Sequence, residues 1–273
     1  MTMLHAASPA RSRTATAAPW GWSGLGALAG ALVALALWAP ARWLADALTW
    51  ASGARVQWVQ AQGTVWNGAA QLVLSSGEAS AVTSALPGAV QWTLRPRWNG
   101  LRLTLQASCC MDTPWAWELQ ASSAGLTLQA DALRADTTHF PAQVLTGLGT
   151  PWNTLQLRGT LSLSAQDLAL TVRRDGWNLA GQAGVEAWGL GTALSTLQPV
   201  GSYRLQLLGG TEPRTVLSTL AGPLQLSGQG QLDQGRWRFT GEARTDEASQ
   251  GALGNLLNII GRREGARSVI TVG

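Results

Sequence analysis

The chain has 273 residues, of which 46% are hydrophobic, so it can bury a sizeable core and is not predicted to be disordered as a whole. Only 12% of the residues are charged, and the 32 glycines favour strands and tight turns over helical bundles. The net charge is +4 and the 19 basic residues are all arginine, scattered singly or in pairs. This argues against nucleic-acid binding, which needs a clustered basic surface.

The first predicted element is a membrane segment near the N-terminus. Gly21–Ala41 carries no charged residue and is long enough to cross a bilayer, which takes about 20 residues. We predict a cytoplasmic tail over residues 1–20 and a transmembrane helix over residues 21–43. Arg11 and Arg13 precede the segment, so the positive-inside rule keeps the N-terminus in the cytoplasm of a bacterial cell and sends the rest to the periplasm.

A cleaved signal peptide is the competing interpretation of this segment. Ala39-Pro40-Ala41 has the small residues that a signal peptidase needs. The apolar run, however, exceeds the roughly 7 to 15 residues of a usual signal peptide core, which favours retention of the helix. Either way the body of the protein reaches the same compartment.

Residues 50–273 are predicted to form a β-rich periplasmic domain. Apolar and polar residues alternate with period two in many short runs, as in Leu101–Gln106, where the leucines share one face. The gaps between runs are too short for the crossovers that parallel strands need. We therefore predict a mainly β fold, with an elongated, curved antiparallel sheet that carries one or two short helices.

Hairpin turns are predicted at two places in the middle of the chain. Apolar and polar residues alternate from Leu155 to Ala165 and again from Leu168 to Val172, which predicts a turn at Gln166-Asp167 between two strands. A second turn is predicted at Arg174-Asp175-Gly176, because an Asp-Gly pair favours positive backbone angles.

Few segments have helical features. A short helix is predicted to open at Pro141, and a longer one covers Asp246–Ile260, with acidic residues in its first turn. Ser268–Val272 is predicted to be a final strand. The apolar face of the sheet must be covered by folding over, by helices, or by lipid or another protein in an open groove, and the sequence leaves these alternatives open.

Candidate chemical groups are scarce. Cys109 and Cys110 are adjacent and cannot staple distant strands, so they are either two thiols at a strand end or a vicinal disulfide that acts as a redox switch. His139 is the only histidine of the predicted periplasmic domain. Asp131 and Asp136 resemble a glycosidase carboxylate pair in spacing alone, although solvated turn acids explain them better. We predict a non-enzyme without cofactor or metal.

Three segments resemble a known family. The first forms a Gly-Thr-x-Trp-x-Gly element soon after the apolar segment, and its glycines are expected to bracket a strand whose Trp66 packs on the sheet, with a bend at Asn67-Gly68. The segments are Gly63-Thr64-Val65-Trp66-Asn67-Gly68, Leu86-Pro87 before Trp92-Thr93-Leu94-Arg95-Pro96, and Pro151-Trp152-Asn153-Thr154-Leu155 before Gly159. On these residues the chain resembles protein N of the type II secretion system, the GspN family.

The resemblance implies an inner-membrane accessory protein that supports export of folded proteins across the outer membrane through contacts with other secretion subunits. It implies no catalytic residues. The family also looks similar to the AsmA-like group, whose β-sheets form grooves linked to lipid traffic, so a lipid-binding or lipid-transfer protein with phospholipid as its partner is the alternative. A periplasmic hydrolase is a third hypothesis.

Overall fold

The structure is a computed structural model that describes residues 20–77, 82–123, 125–233, 235–264 and 267–273. The chain divides into two compact units between Ala39 and Pro40. The first unit contains helix α1 (Trp20–Trp38), and the second contains the strands and the other helices.

The predicted transmembrane helix over residues 21–43 corresponds to parts of two helices. α1 ends at Trp38 and α2 (Ala41–Ala51) begins three residues later, with Pro40 between them in an extended conformation. Proline has no N–H for a helical hydrogen bond and disfavours helix in the residue before it, which explains the break. Among the described residues, no helix meets both the length and the hydropathy that a membrane span needs.

The second unit is mainly β, as predicted. Its strands are β1 (Val56–Gly63), β2 (Asn67–Ser75), β3 (Thr83–Arg97), β4 (Gly100–Ala107), β5 (Trp115–Ser122), β6 (Gly125–Ala130), β7 (Phe140–Pro141), β8 (Arg158–Arg173), β9 (Gly176–Gly191), β10 (Gly201–Gly210), β11 (Arg214–Ala221), β12 (Leu224–Asp233), β13 (Arg236–Thr245), β14 (Arg262–Glu264) and β15 (Arg267–Val272).

These strands form one antiparallel sheet within the described part of the chain. Their order is β1-β2-β3-β4-β5-β6-β8-β9-β10-β11-β12-β13-β15-β14, and β7 pairs with one end of β8. Because consecutive strands are neighbours, the turns alternate between the two ends of the strands. We call the end that carries the β1–β2, β3–β4, β5–β6, β8–β9, β10–β11 and β12–β13 turns the hairpin edge, and the other end the opposite edge.

The helical segments connect strands mainly at the opposite edge. They are α3 (Trp152–Leu155), α4 (Gln250–Ile260) and the 3₁₀ helices Ala135–Thr137, Ala142–Leu148 and Glu247–Ser249. The predicted helix at Asp246–Ile260 is confirmed, since the Asp246 carboxylate accepts the N–H of Ser249 at 2.8 Å and α4 follows. The helix predicted at Pro141 is present as the 3₁₀ helix that follows this proline, and the final strand is present as β15.

One face of the sheet is apolar. The antiparallel pairing aligns apolar residues across neighbouring strands, as in the row formed by Leu103, Trp117 and Ala130. The next residues along each strand point to the other face, where Arg102 lies opposite Glu118 and forms an ion pair with it. The period-two pattern in the sequence therefore corresponds to a sheet with one apolar and one polar face.

Helical elements cover part of the apolar face. α2 lies over β1 and β2 and shares a buried cluster with Trp92 of β3, the 3₁₀ helix Ala142–Leu148 lies over β2 and β3, and α4 lies over β13, β14 and β15. The buried residues in these contacts are Ala41, Ala70 and Trp92 under α2, Leu86, Val90 and Val144 under the 3₁₀ helix, and Leu224, Ala243, Leu253, Leu256 and Leu257 under α4. Of the alternatives that the sequence leaves open, helices account for this part of the cover.

The hairpin predicted at Gln166-Asp167 is wrong. β8 runs through this point without turning, and its pairing with β9 shifts by one residue between Gln166 and Ala169. Two residues of β8 thus oppose Gly181 of β9, and Asp167 takes a positive φ of 49°. This is a β-bulge, which changes the alternation of side chains in the same way as a tight turn would. The second turn is confirmed, since β8 ends at Arg173 and β9 begins at Gly176.

The packing of α4 on the sheet predicts how substitutions in this helix change the free energy of unfolding. Leu253 is fully buried in the same apolar cluster as Leu224 and Ala243, so Leu253→Ala should lower the free energy of unfolding by about 2–5 kcal/mol through lost contacts and a cavity. Ile259→Ala, on the exposed side of the same helix, should change it by less than about 0.5 kcal/mol. Urea-induced unfolding of the full chain, followed by pulse proteolysis, measures both. Equal effects of the two substitutions would contradict the packing.

Candidate functional site

The Gly-Thr-x-Trp-x-Gly element forms the turn between β1 and β2 at the hairpin edge. β1 ends at Gly63 and β2 begins at Asn67, so the bend lies at Thr64–Trp66 and the predicted bend at Asn67-Gly68 is wrong. The Thr64 N–H donates to the Asn67 carbonyl at 2.8 Å, and the Thr64 hydroxyl accepts the Asn67 N–H at 3.1 Å. The threonine side chain therefore closes the turn.

The two glycines of this element leave room for neighbouring groups. Gly63 has a φ of +87°, and a Cβ atom there would lie 2.5 Å from the Asn67 carbonyl oxygen. A Cβ atom at Gly68 would lie 2.3 Å from Cζ2 of the Trp92 indole. Both positions therefore exclude larger side chains for steric reasons, and at Gly63 also for conformational ones.

Trp92 joins the first two family-like segments. Its ring lies over Gly68, its Nε1 donates to the Val65 carbonyl at 3.0 Å, and it is buried beneath α2. It also contacts Trp58 edge-on, with 6.1 Å between ring centroids. Leu94 is two residues after Trp92 in β3 and lies on the same face of the strand. Its N–H donates to the Trp66 carbonyl at 2.7 Å. The element at residues 63–68 and the segment Trp92–Pro96 thus pack against each other as one unit.

The third family-like segment lies elsewhere. Pro151 precedes the short helix α3, which contains Trp152 and Asn153, and Trp152 is partly exposed. The Asn153 N–H donates to the Gly149 carbonyl at 3.0 Å. α3 leads into β8 at the opposite edge, in a different buried cluster from Trp92. The structure therefore does not bring Pro151, Trp152 and Asn153 together with residues 63–68.

Cys109 and Cys110 are joined in a vicinal disulfide directly after β4. Cys110 is buried in the cluster under the 3₁₀ helix Ala142–Leu148, and its N–H donates to the Ala107 carbonyl at 3.0 Å. The Cys110 carbonyl accepts the N–H of His139 at 2.9 Å. Of the two alternatives that the sequence leaves open for these residues, the disulfide is present.

The predicted carboxylate pair is split between separate ion pairs. Asp131 pairs with Arg102 at 2.6 Å, and Asp136 pairs with Arg134 at 2.6 Å. The hydrogen bond from Arg134 lowers the pKa of Asp136, whereas a general acid needs a raised pKa. The two carboxylates are therefore partners of two different arginines.

Among the described residues, His139 has one acidic side chain close to it. His139 lies near Asp112, with 3.9 Å between Nδ1 and the nearest carboxylate oxygen, and both side chains are exposed. Within the described ranges, no three His, Cys, Asp or Glu residues come close enough to hold a metal ion.

An uncovered cleft lies on the apolar face, between the area under α2 and the hairpin edge. We call it the apolar cleft. It has a volume of about 380 Å³ and is lined by leucine and tryptophan side chains: Leu94, Leu101, Leu103, Leu105, Trp115, Trp117, Leu119 and Leu128. Cross-strand pairs continue this apolar surface through Leu126 and Val172 to Trp177, which is half exposed. The sequence predicted the one-sided strands, but it did not show where the cover would be missing.

Comparison with known proteins identifies the family. A model of the type II secretion system (T2SS), protein N, matches residues 54–271. The chain belongs to this protein N family. No curated protein and no solved structure matches it. The resemblance that the sequence motifs indicated is confirmed at the level of the family, and the relation to the AsmA-like group is not part of this match.

The matched range of this protein N family member contains the apolar cleft and all the family-like segments. It begins just before β1 and ends within β15, so it spans the whole sheet. The region that matches the family model is thus the sheet with its partly covered apolar face. The family match supports an accessory role in type II secretion for this chain.

The packing of Trp92 against Gly68 predicts how a larger residue at position 68 affects stability. Gly68→Ala places a methyl group against the buried indole, so it should lower the free energy of unfolding by about 1–3 kcal/mol. In a Trp92→Ala background, the added cost should fall because the ring is absent, and the part that remains comes from the Gln62 carbonyl oxygen, which would lie 2.9 Å from the added Cβ atom. Chemical denaturation of the four proteins of this double-mutant cycle measures the coupling.

Gly251→Ala is the matched control for this cycle. Gly251 lies in α4 with nothing within 4 Å of an added Cβ atom, so its replacement should be neutral or stabilising by up to about 1 kcal/mol. A cost of Gly68→Ala that is undiminished without the indole would show that the contact with Trp92 is not its cause.

Proposed function

We propose that this protein N family member is an inner-membrane-anchored, periplasmic and non-catalytic component of the type II secretion system. The observation that carries the proposal is the family match over residues 54–271. In this role the protein supports export of folded proteins across the outer membrane by contacting other subunits of the machine. The partner subunits are proposed only as a class.

The proposed anchor is the apolar segment of α1. Trp20–Trp38 contains no charged residue, and the arginines Arg11 and Arg13 precede it in the sequence. An uncharged segment with basic residues on its N-terminal side favours a cytoplasmic N-terminus. The sheet then lies in the periplasm, where the disulfide between Cys109 and Cys110 is compatible with the oxidising conditions.

The width of the sheet supports a role in protein contacts. Fourteen strands follow one another in its hydrogen-bonded path, which at about 4.8 Å per step gives a surface roughly 60 Å wide. Its polar face carries ion pairs between neighbouring strands, Arg102 with Glu118 and Arg204 with Glu186. Such a surface is wide enough to contact more than one subunit.

Deletion of the gene tests the proposed role. Exoproteins should accumulate in folded form in the periplasm and disappear from the medium, and the full chain expressed in trans should restore their release. Fractionation followed by immunoblotting measures the distribution. A periplasmic protein that does not use this machine is the control and should stay at its normal level. Unchanged exoprotein release in the deletion strain under all conditions would refute the role.

The apolar cleft supports a second candidate function, the binding or transfer of lipid, as in the AsmA-like group. Its volume of about 380 Å³ falls within the usual range of ligand pockets, about 300–1,000 Å³. All eight lining residues are leucine or tryptophan, so the cleft offers hydrocarbon contact without polar groups to orient a ligand. A lipid acyl chain matches this chemistry.

Two adjacent residues of β6 test lipid binding. Leu128 lines the cleft and Gln129 points to the polar face, so Leu128→Glu adds a charge to the cleft whereas Gln129→Glu adds the same charge outside it. Photo-cross-linking of the full chain to a phospholipid with a diazirine in its acyl chain should label cleft peptides. The yield should fall at least about tenfold in Leu128→Glu only, because an unpaired charge is costly in apolar surroundings.

The labelled peptides decide the outcome. Adducts on β4, β5 and β6 that disappear in Leu128→Glu and persist in Gln129→Glu support an acyl chain in the cleft. Adducts confined to α1, or equal labelling of all three proteins, would exclude it. Unchanged circular dichroism and urea midpoints of the two variants confirm that the sheet is intact.

A further inference from the structure

The hairpin edge carries exposed tryptophans. Trp98 lies in the β3–β4 turn, Trp177 follows the β8–β9 turn, and Trp237 follows the β12–β13 turn, and the side chains are 103%, 50% and 43% exposed, respectively. These turns are four strands apart in the sheet, so they are spaced roughly 20 Å from one another at about 4.8 Å per strand. Indole rings favour the headgroup region of a bilayer, where one side is apolar and the other is wet.

Arginines accompany the tryptophans at this edge. They are Arg95, Arg97, Arg173, Arg174, Arg214, Arg236 and Arg238. The acidic residues in the same turns are Asp175, Glu212 and Asp233, and Asp233 pairs with Arg238 at 3.0 Å. None of the remaining six arginines forms an ion pair with any other described residue. The hairpin edge therefore presents unpaired positive charge between exposed indoles.

A polar cavity opens at the same edge. It has a volume of about 640 Å³ and lies beside the β10–β11 turn, and Arg214, Arg238 and Gln231 are among its lining residues. Guanidinium groups bind phosphate oxygens through charge-assisted hydrogen bonds. The cavity thus offers donors for a phosphate group beside the exposed tryptophans.

The first residue of the sheet unit also lies at this edge. Pro40, the first residue of that unit, forms a β-bridge with Thr64 in the β1–β2 turn. The apolar surface that runs from the apolar cleft to Trp177 reaches the same edge.

We propose that the hairpin edge docks on the surface of an anionic phospholipid bilayer, with Trp98, Trp177 and Trp237 in the headgroup region and the unpaired arginines on lipid phosphates. Charge complementarity selects the partner, because the arginines of this edge outnumber its acidic residues and six of them form no ion pair with the described residues, so they are attracted to anionic headgroups. Hot spots of protein interfaces cluster near one centre, whereas these indoles are spread over roughly 40 Å at about 4.8 Å per strand. The proposal takes only the membrane location from the proposed function.

The test uses the full chain in nanodiscs of phosphatidylcholine alone or with one third phosphatidylglycerol. Hydrogen–deuterium exchange should slow in the peptides of the β3–β4, β8–β9 and β12–β13 turns on the anionic discs only. The triple variant Arg173→Gln, Arg174→Gln and Arg236→Gln should lose this protection. Three arginines near an anionic surface account for about a hundredfold in the docking equilibrium.

The matched control carries the same change in charge away from the hairpin edge. Arg134→Gln, Arg244→Gln and Arg262→Gln replace three exposed arginines of the opposite half of the sheet, and this variant should keep the protection. Equal exchange on both kinds of disc, or equal loss in both triple variants, would overturn the proposal. Turns that are protected only by an added acidic protein would overturn it as well.

Failure of the anchor is distinguishable from failure of the edge. Incorporation of the chain into discs reports on α1, whereas exchange at the three turns reports on the hairpin edge. A chain that does not incorporate is sedimented with vesicles of the same two compositions. Binding to the anionic vesicles that the first triple variant loses and the control keeps supports the edge, and equal binding by all three proteins refutes it.

Discussion

Water must be kept from one face of a sheet that is too wide for any single helix to cover. The constraint follows from the alternation of apolar and polar residues, which places leucines and tryptophans of successive antiparallel strands on the same side. α2, the 3₁₀ helix Ala142–Leu148 and α4 each bury part of this side, and Ala142 of the 3₁₀ helix belongs to the same buried cluster as the leucines of α4. Each buried large apolar side chain contributes about 1.5–3 kcal/mol, so these contacts hold the sheet to its connecting segments.

Incomplete cover is what links this fold to a function. Among the described helices of the sheet unit, none lies over the area between α2 and the hairpin edge, and there the leucines and tryptophans of β3 to β6 line a cleft. Closed cores and open clefts use the same kind of strand, so the difference lies in where the connecting segments run. Most of the helical connections here lie toward the opposite edge, which leaves the hairpin edge to turns, indoles and arginines.

The sequence predicted the strands and the family well, and the local geometry less well. Period-two leucines predicted the antiparallel sheet, and the acidic residues from Asp246 predicted the start of the helical segment that continues into α4, because both are local effects. The bend of the Gly-Thr-x-Trp-x-Gly element was misplaced, since an Asn-Gly pair usually marks a turn but here the Thr64 hydroxyl closes it. The contact of Trp92 with Gly68 joins residues 24 positions apart along the chain, so spacing alone could not reveal it.

The bulge at Asp167 and Leu168 lets one strand serve two sets of neighbours. On one side of it β8 pairs with β7 and bridges Leu133, and on the other it pairs with β6. Deletion of a single residue here would exchange the two faces for the part of β8 that follows the bulge. Arg173 would then point to the apolar face and Val172 to the polar face. Chain length at this spot is therefore as constrained as residue type, and insertions or deletions should be tolerated in the neighbouring turns instead.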